Sequence, residues 1–283
     1  MTFTIQNHIQ GHIAFELDTK AEKMPDLAIL TFENEKGPDT VLTYSDIVLN
    51  GRRFARRLIT TGIGKGDVFA LVMQNQPEFI YCLYAATMLG AILLPIDPSI
   101  KGDRLVYMLR NSNCKGIILS SDYLQKIEQA LEDISGIPII AVSYSSKAEE
   151  GLLRTFPSVD DILNTPEFSP PDNRSNEIEI PVEIVYTSGT TGPPKGVVIH
   201  GNRLSVYSVL AEFVWQYTSD DKLYTGLSLA HGNAQAVTLM PSLLMAVPSV
   251  FSQKFTKSRI WDICRTYGCT SFSLLGSMAM GLY

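Results

Sequence analysis

The chain has 283 residues, which is enough for one large α/β domain or two smaller ones. Its composition of 45% hydrophobic and 18% charged residues is typical of a globular protein with a sizeable core. The net charge of −6 gives no basic surface of the kind that binds nucleic acid, so we expect no nucleic-acid partner.

The longest apolar stretch, residues 236–251, is interrupted by two prolines and is shorter than the ~20 residues that span a bilayer. We therefore predict no membrane span. The N-terminus lacks the basic and apolar parts of a secretory signal, and a cytoplasmic location is the resulting expectation. The four cysteines, at 82, 114, 264 and 269, show no zinc-site spacing, so we expect reduced thiols and no metal ligands.

Helical and strand patterns alternate along the first half of the chain. Two apolar strand patterns joined by a helix through short connections form a right-handed βαβ unit, and several such units form a doubly wound sheet. The predicted fold class is α/β, with mostly parallel sheets, flanking helices and layered βαβ subdomains. The predicted helices are 46–61, 77–89, 103–111 and 123–134, after helical spacing at 9–17; the strands are 28–32, 42–44, 68–73, 91–96, 116–119 and 139–142.

One predicted helix, 46–61, has an apolar stripe on one side and an arginine cluster on the other. We expect Ser45 to cap it. The arginine cluster is interpreted as a solvated helix face and not as a phosphate site. Its members are Arg52, Arg53, Arg56 and Arg57.

Residues 144–179 change in composition to serine, proline and acidic residues, which predicts an exposed connection. This connection separates two subdomains or is an excursion from one sheet. We predict a first subdomain at 1–165 and a second at 166–283 that carries the principal motif of the chain.

The second half continues with a helix at 202–217, a strand at 222–227, an apolar stretch at 236–247, a strand at 249–251, a helix at 258–267 and a strand at 270–274. A short polar turn places His231 after a strand, at the edge where α/β sheets bind ligands. A lone histidine at such a place is more often structural. Gly276 follows the last strand, where small residues suit a pocket wall or the core.

The principal motif lies between two apolar strand patterns, at 184–187 and 196–199. Its glycines let backbone N–H groups approach an anion, its hydroxyls donate hydrogen bonds, and Lys195 adds a positive charge. This pattern predicts a polyphosphate site. The spacing is not that of a Walker loop. A plain hairpin turn would account for the glycines and prolines, but it needs neither the hydroxyls nor the lysine.

The residues Tyr-Thr-Ser-Gly-Thr-Thr-Gly-Pro-Pro-Lys-Gly at 186–196 resemble the signature phosphate loop of adenylate-forming enzymes, the superfamily of acyl-CoA synthetases, luciferases and peptide-synthetase adenylation domains. The match extends over all eleven residues and is highly specific. Residues 42–47 and 90–98 are similar to the first and second motifs of that family, which are weaker signals.

The resemblance implies a carboxylate–CoA ligase that joins a carboxylic acid to AMP and then transfers the acyl group to CoA, with ATP and Mg²⁺. It implies that the phosphates are bound by Thr187, Ser188, Gly189, Thr190, Thr191, Gly192 and Lys195. It also implies an acyl pocket that includes His231, Gly232, Asn233 and Gly276. The small residues there suggest a roomy, uncharged pocket for an aliphatic, alicyclic or aromatic acid.

The family's adenine-binding, ribose-binding and C-terminal lysine motifs are missing from these residues. We therefore expect the N-terminal portion of a larger enzyme, without the C-terminal lid domain, and name no catalytic residue. Two alternatives stay open, a non-catalytic nucleotide-binding module and an acyl-AMP ligase that serves a carrier protein. A homo-oligomer is also left open.

Overall fold

The computed structural model describes residues 11–35, 37–145, 154–166, 168, 179–187 and 192–282. Two β-sheets with flanking helices form this part of the chain. The helices are α1 (Ile13–Lys23), α2 (Tyr44–Thr60), α3 (Pro77–Leu89), α4 (Asp103–Asn111), α5 (Leu124–Glu132), α6 (Val159–Leu163), α7 (Gly201–Leu210), α8 (Gly232–Ala234), α9 (Met240–Met245), α10 (Ile260–Tyr267) and α11 (Gly276–Leu282). Two π-helical turns, Ala211–Trp215 and Gln235–Leu239, follow α7 and α8.

A six-stranded sheet has the strand order β6-β5-β3-β4-β7-β8. All neighbouring strands are parallel except β7 and β8, which form an antiparallel pair. The strands β3 to β5 are almost fully buried, as expected for a parallel sheet with both faces covered. The strands are β3 (Val68–Val72), β4 (Ile92–Pro95), β5 (Cys114–Ser120), β6 (Ile139–Ser143), β7 (Pro181–Thr187) and β8 (Lys195–His200).

A five-stranded sheet, in the order β11-β9-β10-β1-β2, draws its strands from both ends of the described chain. The parallel pairing of β1 with β10 brings the first strand next to one that begins at Ser249. Only β2 is antiparallel to its neighbour. The strands are β1 (Ala28–Glu33), β2 (Thr40–Thr43), β9 (Leu223–Thr225), β10 (Ser249–Ser252) and β11 (Ser271–Phe272).

The largest apolar cluster includes residues of both sheets and of helices α1, α2, α3 and α9. Tyr44, at the start of α2, is fully buried there, and its hydroxyl donates to the carbonyls of Ser242 and Leu243, 3.1 Å away in each case. Helix α2 is therefore bound to α9 by hydrogen bonds as well as by apolar packing. None of the described helices has the length and apolar character to cross a membrane.

These sheets confirm the predicted α/β class, with mostly parallel strands and flanking helices. The prediction that Ser45 caps α2 is wrong, because Thr43 is the capping residue. The Thr43 hydroxyl accepts from the Asp46 N–H at 3.1 Å, and the Asp46 carboxylate accepts from the Thr43 N–H at 2.9 Å. This reciprocal pair is a capping box, which the Thr-x-x-Asp spacing favours.

The interpretation of the α2 arginines as a solvated face is wrong for three of the four, because they bind neighbouring elements, as Arg52 does in an ion pair with Asp18 of α1. Arg57 donates through two nitrogens to the Ile140 carbonyl of β6, and Arg53 Nε donates to the Thr165 carbonyl at 2.9 Å. Arg56 is exposed as expected. Long side chains of this kind reach across a helix surface to satisfy main-chain groups at the sheet edge.

Two smaller differences concern regions with weak periodicity. The connection predicted at 144–179 contains the short helix α6, capped by Ser158. The last predicted strand, 270–274, is reduced to β11. The subdomain boundary between 165 and 166 stays a prediction, and it does not coincide with the division between the sheets, since each sheet takes strands from both sides of it.

Candidate functional site

The phosphate-loop motif lies at the end of the β7–β8 hairpin. Thr187, the last residue of β7, faces Lys195, the first residue of β8, and both are exposed. The Thr187 hydroxyl donates to the Lys195 carbonyl at 3.5 Å. Gly192 has φ of +103°, a conformation that other residues rarely adopt. The remaining predicted phosphate ligands, Ser188, Gly189, Thr190 and Thr191, lie outside the described residues.

Tyr186, the residue before Thr187 in β7, contacts helix α4. Its hydroxyl lies 2.6 Å from Asn111 Oδ1, and its ring meets that of Tyr107 edge-on, with 6.5 Å between centroids. Because β7 runs parallel to β4, the loop leaves the sheet at the same edge as the residues that follow β4. That edge is where parallel α/β sheets bind ligands.

A short turn on the same side of the molecule carries three predicted acyl-pocket residues, His231, Gly232 and Asn233. The His231 side chain is half exposed, and its Nε2 lies 3.6 Å from Oδ2 of Asp97. Asp97 lies in the turn that follows β4. Burial opposes the ionisation of Asp97, but hydrogen bonds from Ser99 and Ser228 outweigh it and hold the pKa of Asp97 below its ordinary value. The geometry therefore places an anionic carboxylate beside the imidazole.

A cavity of about 360 Å³ opens next to Asp97, between the carboxyl ends of strands from both sheets. A Cβ on Gly226 would lie 2.8 Å from the Phe255 Cα atom, so only glycine fits that wall. The lining residues are Gln74, Asp97, Pro98, Ser99, Tyr123, Gly226, Ser228, Gln253 and Lys254.

The structure brings the loop hairpin and the His231 turn into contact through two buried side chains. Gln235 Nε2 donates to Glu183 Oε1 of β7 at 2.7 Å and to the Leu229 carbonyl at 2.9 Å. Burial raises the pKa of Glu183 to about 8, and the hydrogen bond from Gln235 opposes that rise. Glu183 therefore keeps its proton at neutral pH.

The fourth predicted acyl-pocket residue, Gly276, lies on a different element from the His231 turn. It begins α11, and among the described residues no hydrogen bond or ion pair joins it to the turn. A Cβ built on Gly276 or on Gly232 would meet nothing within 4 Å, so both glycines border open space. The acyl-pocket role of these residues stays a prediction.

Sequence reasoning missed most of the cavity lining. Gln74, Asp97 and Gln253 each lie within two residues of the carboxyl end of a parallel strand, and that position was the available signal. None of them belongs to the glycine-rich motif. Among the described residues, no group of three or more His, Cys, Asp or Glu side chains could hold a metal ion.

The β7–β8 hairpin carries a glycine- and hydroxyl-rich motif with a lysine, and a cavity lies at the carboxyl ends of strands from two mostly parallel sheets. Nucleotide-binding α/β proteins share features of this kind. The chain belongs to the family of AMP-binding enzymes, whose family model matches residues 17–282.

Two curated relatives and one solved structure show how far the likeness extends. The chain is 25% identical over 277 residues to long-chain fatty acid transport protein 6 of Mus musculus, which covers 95% of this chain and 43% of the relative. It is 27% identical over 267 residues to crotonobetaine/carnitine–CoA ligase of Salmonella arizonae, covering 92% and 50%. The chain thus spans about half the length of the curated relatives that it matches.

O-succinylbenzoate coenzyme A synthetase of Bacillus subtilis, solved with ATP and magnesium, superposes with a TM-score of 0.74 at 20% identity. The likeness covers 94% of this chain and 65% of that one. At this level of identity the comparison shows the shared fold.

Proposed function

We propose that the protein activates a carboxylic acid with ATP and transfers the acyl group to the thiol of CoA. In the first step a carboxylate oxygen attacks the α-phosphorus of ATP, and pyrophosphate leaves with the bonding pair. In the second step a thiolate attacks the acyl carbonyl and AMP leaves. Family membership supports the adenylation step, and the single observation that carries it in this chain is the placement of Lys195 opposite Thr187 at the loop.

The exposed donors of the hairpin fit a polyphosphate. Lys195 is exposed and forms no ion pair with any carboxylate of the described residues, which leaves its ammonium accessible to a phosphate oxygen as far as this part of the chain is concerned. Such groups stabilise the charge that develops on phosphates during the transfer, and they position the α-phosphorus for in-line attack. Magnesium prefers phosphate and carboxylate oxygens and enters the proposal together with ATP; we assign it no protein ligand.

For the carboxylic acid substrate we propose a chemical class and no individual compound. Open space beside Gly232 and Gly276 is compatible with an aliphatic, alicyclic or aromatic acid. The names of the relatives add crotonobetaine and long-chain fatty acids to the panel of acids that needs testing. A cytoplasmic location and CoA as the acceptor, in preference to a carrier-protein thiol, stay predictions.

The test is carboxylate-dependent exchange between ATP and labelled pyrophosphate, measured on the longest natural chain that contains these residues. We expect exchange with one class of acid. The variant Lys195→Ala should lower kcat/KM for ATP by about 10- to 100-fold, the effect of losing one hydrogen bond from a charged group. Lys23→Ala, at an exposed position of α1, is the matched control and should leave exchange unchanged.

Other outcomes distinguish the remaining candidates. ATP binding without exchange for any acid would identify a non-catalytic nucleotide-binding module. Exchange that is equal in Lys195→Ala and the wild type would contradict the role of the lysine. Product analysis with CoA and with a phosphopantetheinylated carrier protein decides which thiol accepts the acyl group.

A further inference from the structure

A single side chain connects the strand of the phosphate loop to the turn that carries His231. Gln235 donates at the same time to Glu183 of β7 and to the carbonyl of Leu229, where the turn begins. Gln235 is also the first residue of the π-helical turn Gln235–Leu239. Single π-helical turns inside α-helices occur frequently at functional sites.

Stability does not account for Glu183. The residue is fully buried, and its Oε2 is one of the buried atoms without a hydrogen-bond partner among the described residues. A buried carboxyl that is only half satisfied is destabilising relative to a well-packed apolar side chain of similar volume. Strand β7 would be more stable with an apolar side chain at position 183, so the carboxyl of Glu183 has a role other than stability.

Both main-chain polar groups of Leu229 are held by buried side chains. Its carbonyl accepts from Gln235, and its N–H donates to Asn75 Oδ1 at 2.8 Å. His231 follows two residues later, and its N–H donates to the Ser228 carbonyl at 2.9 Å. The position of the imidazole therefore depends on the buried contacts at the start of the turn.

We propose that Glu183 and Gln235 are a positioning pair, which holds the His231 turn at a fixed place relative to the strand that leads into the phosphate loop. The carboxyl of Glu183 serves as a neutral acceptor for the Gln235 amide. The pair thereby keeps the carboxylic acid and the nucleotide in a fixed position relative to each other. This proposal rests on the proposed function for its kinetic consequence. Its structural consequence, the immobilisation of residues 229–239, is independent of any activity.

The structural test is amide hydrogen exchange, read on peptides that cover residues 229–239 of the wild-type chain and its variants. Gln235→Leu and Glu183→Leu should speed exchange in this segment by about tenfold, because the turn opens locally. Glu183→Gln keeps an acceptor oxygen and should exchange like the wild type. Thr87→Val, which removes a buried hydroxyl from α3, controls for general loosening of the core. Unchanged exchange in Gln235→Leu would overturn the proposal.

The kinetic test separates the two substrates. Gln235→Leu removes both buried hydrogen bonds of the Gln235 amide and should raise KM for the acid by at least about tenfold, while KM for ATP stays within about twofold of the wild type. Glu183→Gln, which keeps an acceptor oxygen for Gln235, should have the same KM for the acid as the wild type. The proposal would be overturned if Gln235→Leu raised KM for the acid and KM for ATP equally. It would also be overturned if Glu183→Gln raised KM for the acid as much as Gln235→Leu does. If the wild type shows no exchange with any acid, the proposed function fails, whereas hydrogen exchange still decides the positioning pair.

Discussion

Burial of Glu183 links the stability of the protein to pH. The pKa of this carboxyl is about 8 in the folded protein, against an ordinary value of 4.5. Between these values the folded chain keeps a proton that the unfolded chain releases. The free energy of unfolding therefore falls as pH rises from about 4.5 to about 8, and the contribution is constant outside this window.

We expect Glu183→Gln to remove this dependence, because the amide does not titrate. One proton contributes a slope of at most about 1.4 kcal/mol per pH unit. Denaturant unfolding of the wild type and the variant at pH 5 to 9 measures the two slopes. A difference in slope confined to pH below 8 supports the assignment, and parallel curves contradict it.

Single residues differ in how far the sequence reveals them. Thr187 and Lys195 follow from the motif, because the chemistry of phosphate binding requires their residue types at that spacing. Glu183 and Gln235 are far apart in sequence and have no motif. Their pairing depends on the packing of the π-helical turn against β7, which a local pattern does not predict.

Helices α2 and α3 approach each other closely at one glycine. A Cβ on Gly51 would lie 2.3 Å from Cδ1 of Tyr84, which is fully buried. The Tyr84 ring cannot move away easily, because its hydroxyl donates to Asp18 of α1 at 2.6 Å. Gly51 therefore sets the distance between the two helices.

Gly51→Ala should destabilise the protein by about 1–3 kcal/mol, because the overpacking outweighs the gain of at most about 1 kcal/mol in helix propensity. Denaturant unfolding measures the change. Gly281→Ala is the matched control in α11, since a Cβ there meets nothing within 4 Å. A Gly51→Ala protein as stable as the wild type would show that α2 and α3 can separate at little cost.

The sequence predicts the bounds of a helix correctly where a proline or a glycine marks its start or its end. The bounds of α3 and α4 are correct, since Pro77 begins the first and Gly90, with φ of +67°, ends it. The cap of α2 was wrong because Thr43 and Ser45 are both good capping residues. The acidic residue three positions after Thr43 decides between them, and it forms the capping box only in the folded chain.

The two sheets of the molecule are joined through Asn75, which follows β3. Its Nδ2 donates to the carbonyls of Leu227 and Ser252, each at 2.9 Å, and its Oδ1 accepts from the N–H of Leu229. All three partners lie at or beyond the ends of strands in the five-stranded sheet. One side chain from the six-stranded sheet thus satisfies three main-chain groups of the other.

Asn75→Ala should destabilise the molecule by at least about 3 kcal/mol, because three buried main-chain groups lose their partner. Thermal or denaturant unfolding measures the loss. Asn202→Ala, at a half-buried site in α7, should stay within about 0.5 kcal/mol of the wild type. If the two variants are equally stable, the sheets are held together by apolar packing alone.

The order of the strands in whole sheets could not be predicted from local patterns. Alternating strands and helices predicted an α/β class, and the structure confirms it. That β1 pairs with β10, however, depends on which apolar faces cover each other after both sheets exist. The candidate cavity lies between those sheets, and for that reason most of its lining was not foreseen.

The pairing of β1 with β10 also determines when the five-stranded sheet can form during synthesis. Strands β1 and β2 leave the ribosome well before β10, which begins at Ser249. At roughly 5–20 residues per second, the first two strands wait on the order of 10 to 40 seconds as a lone hairpin, which is marginal in water. The nascent chain therefore exposes an unpaired strand edge that a chaperone can bind until β10 closes the sheet.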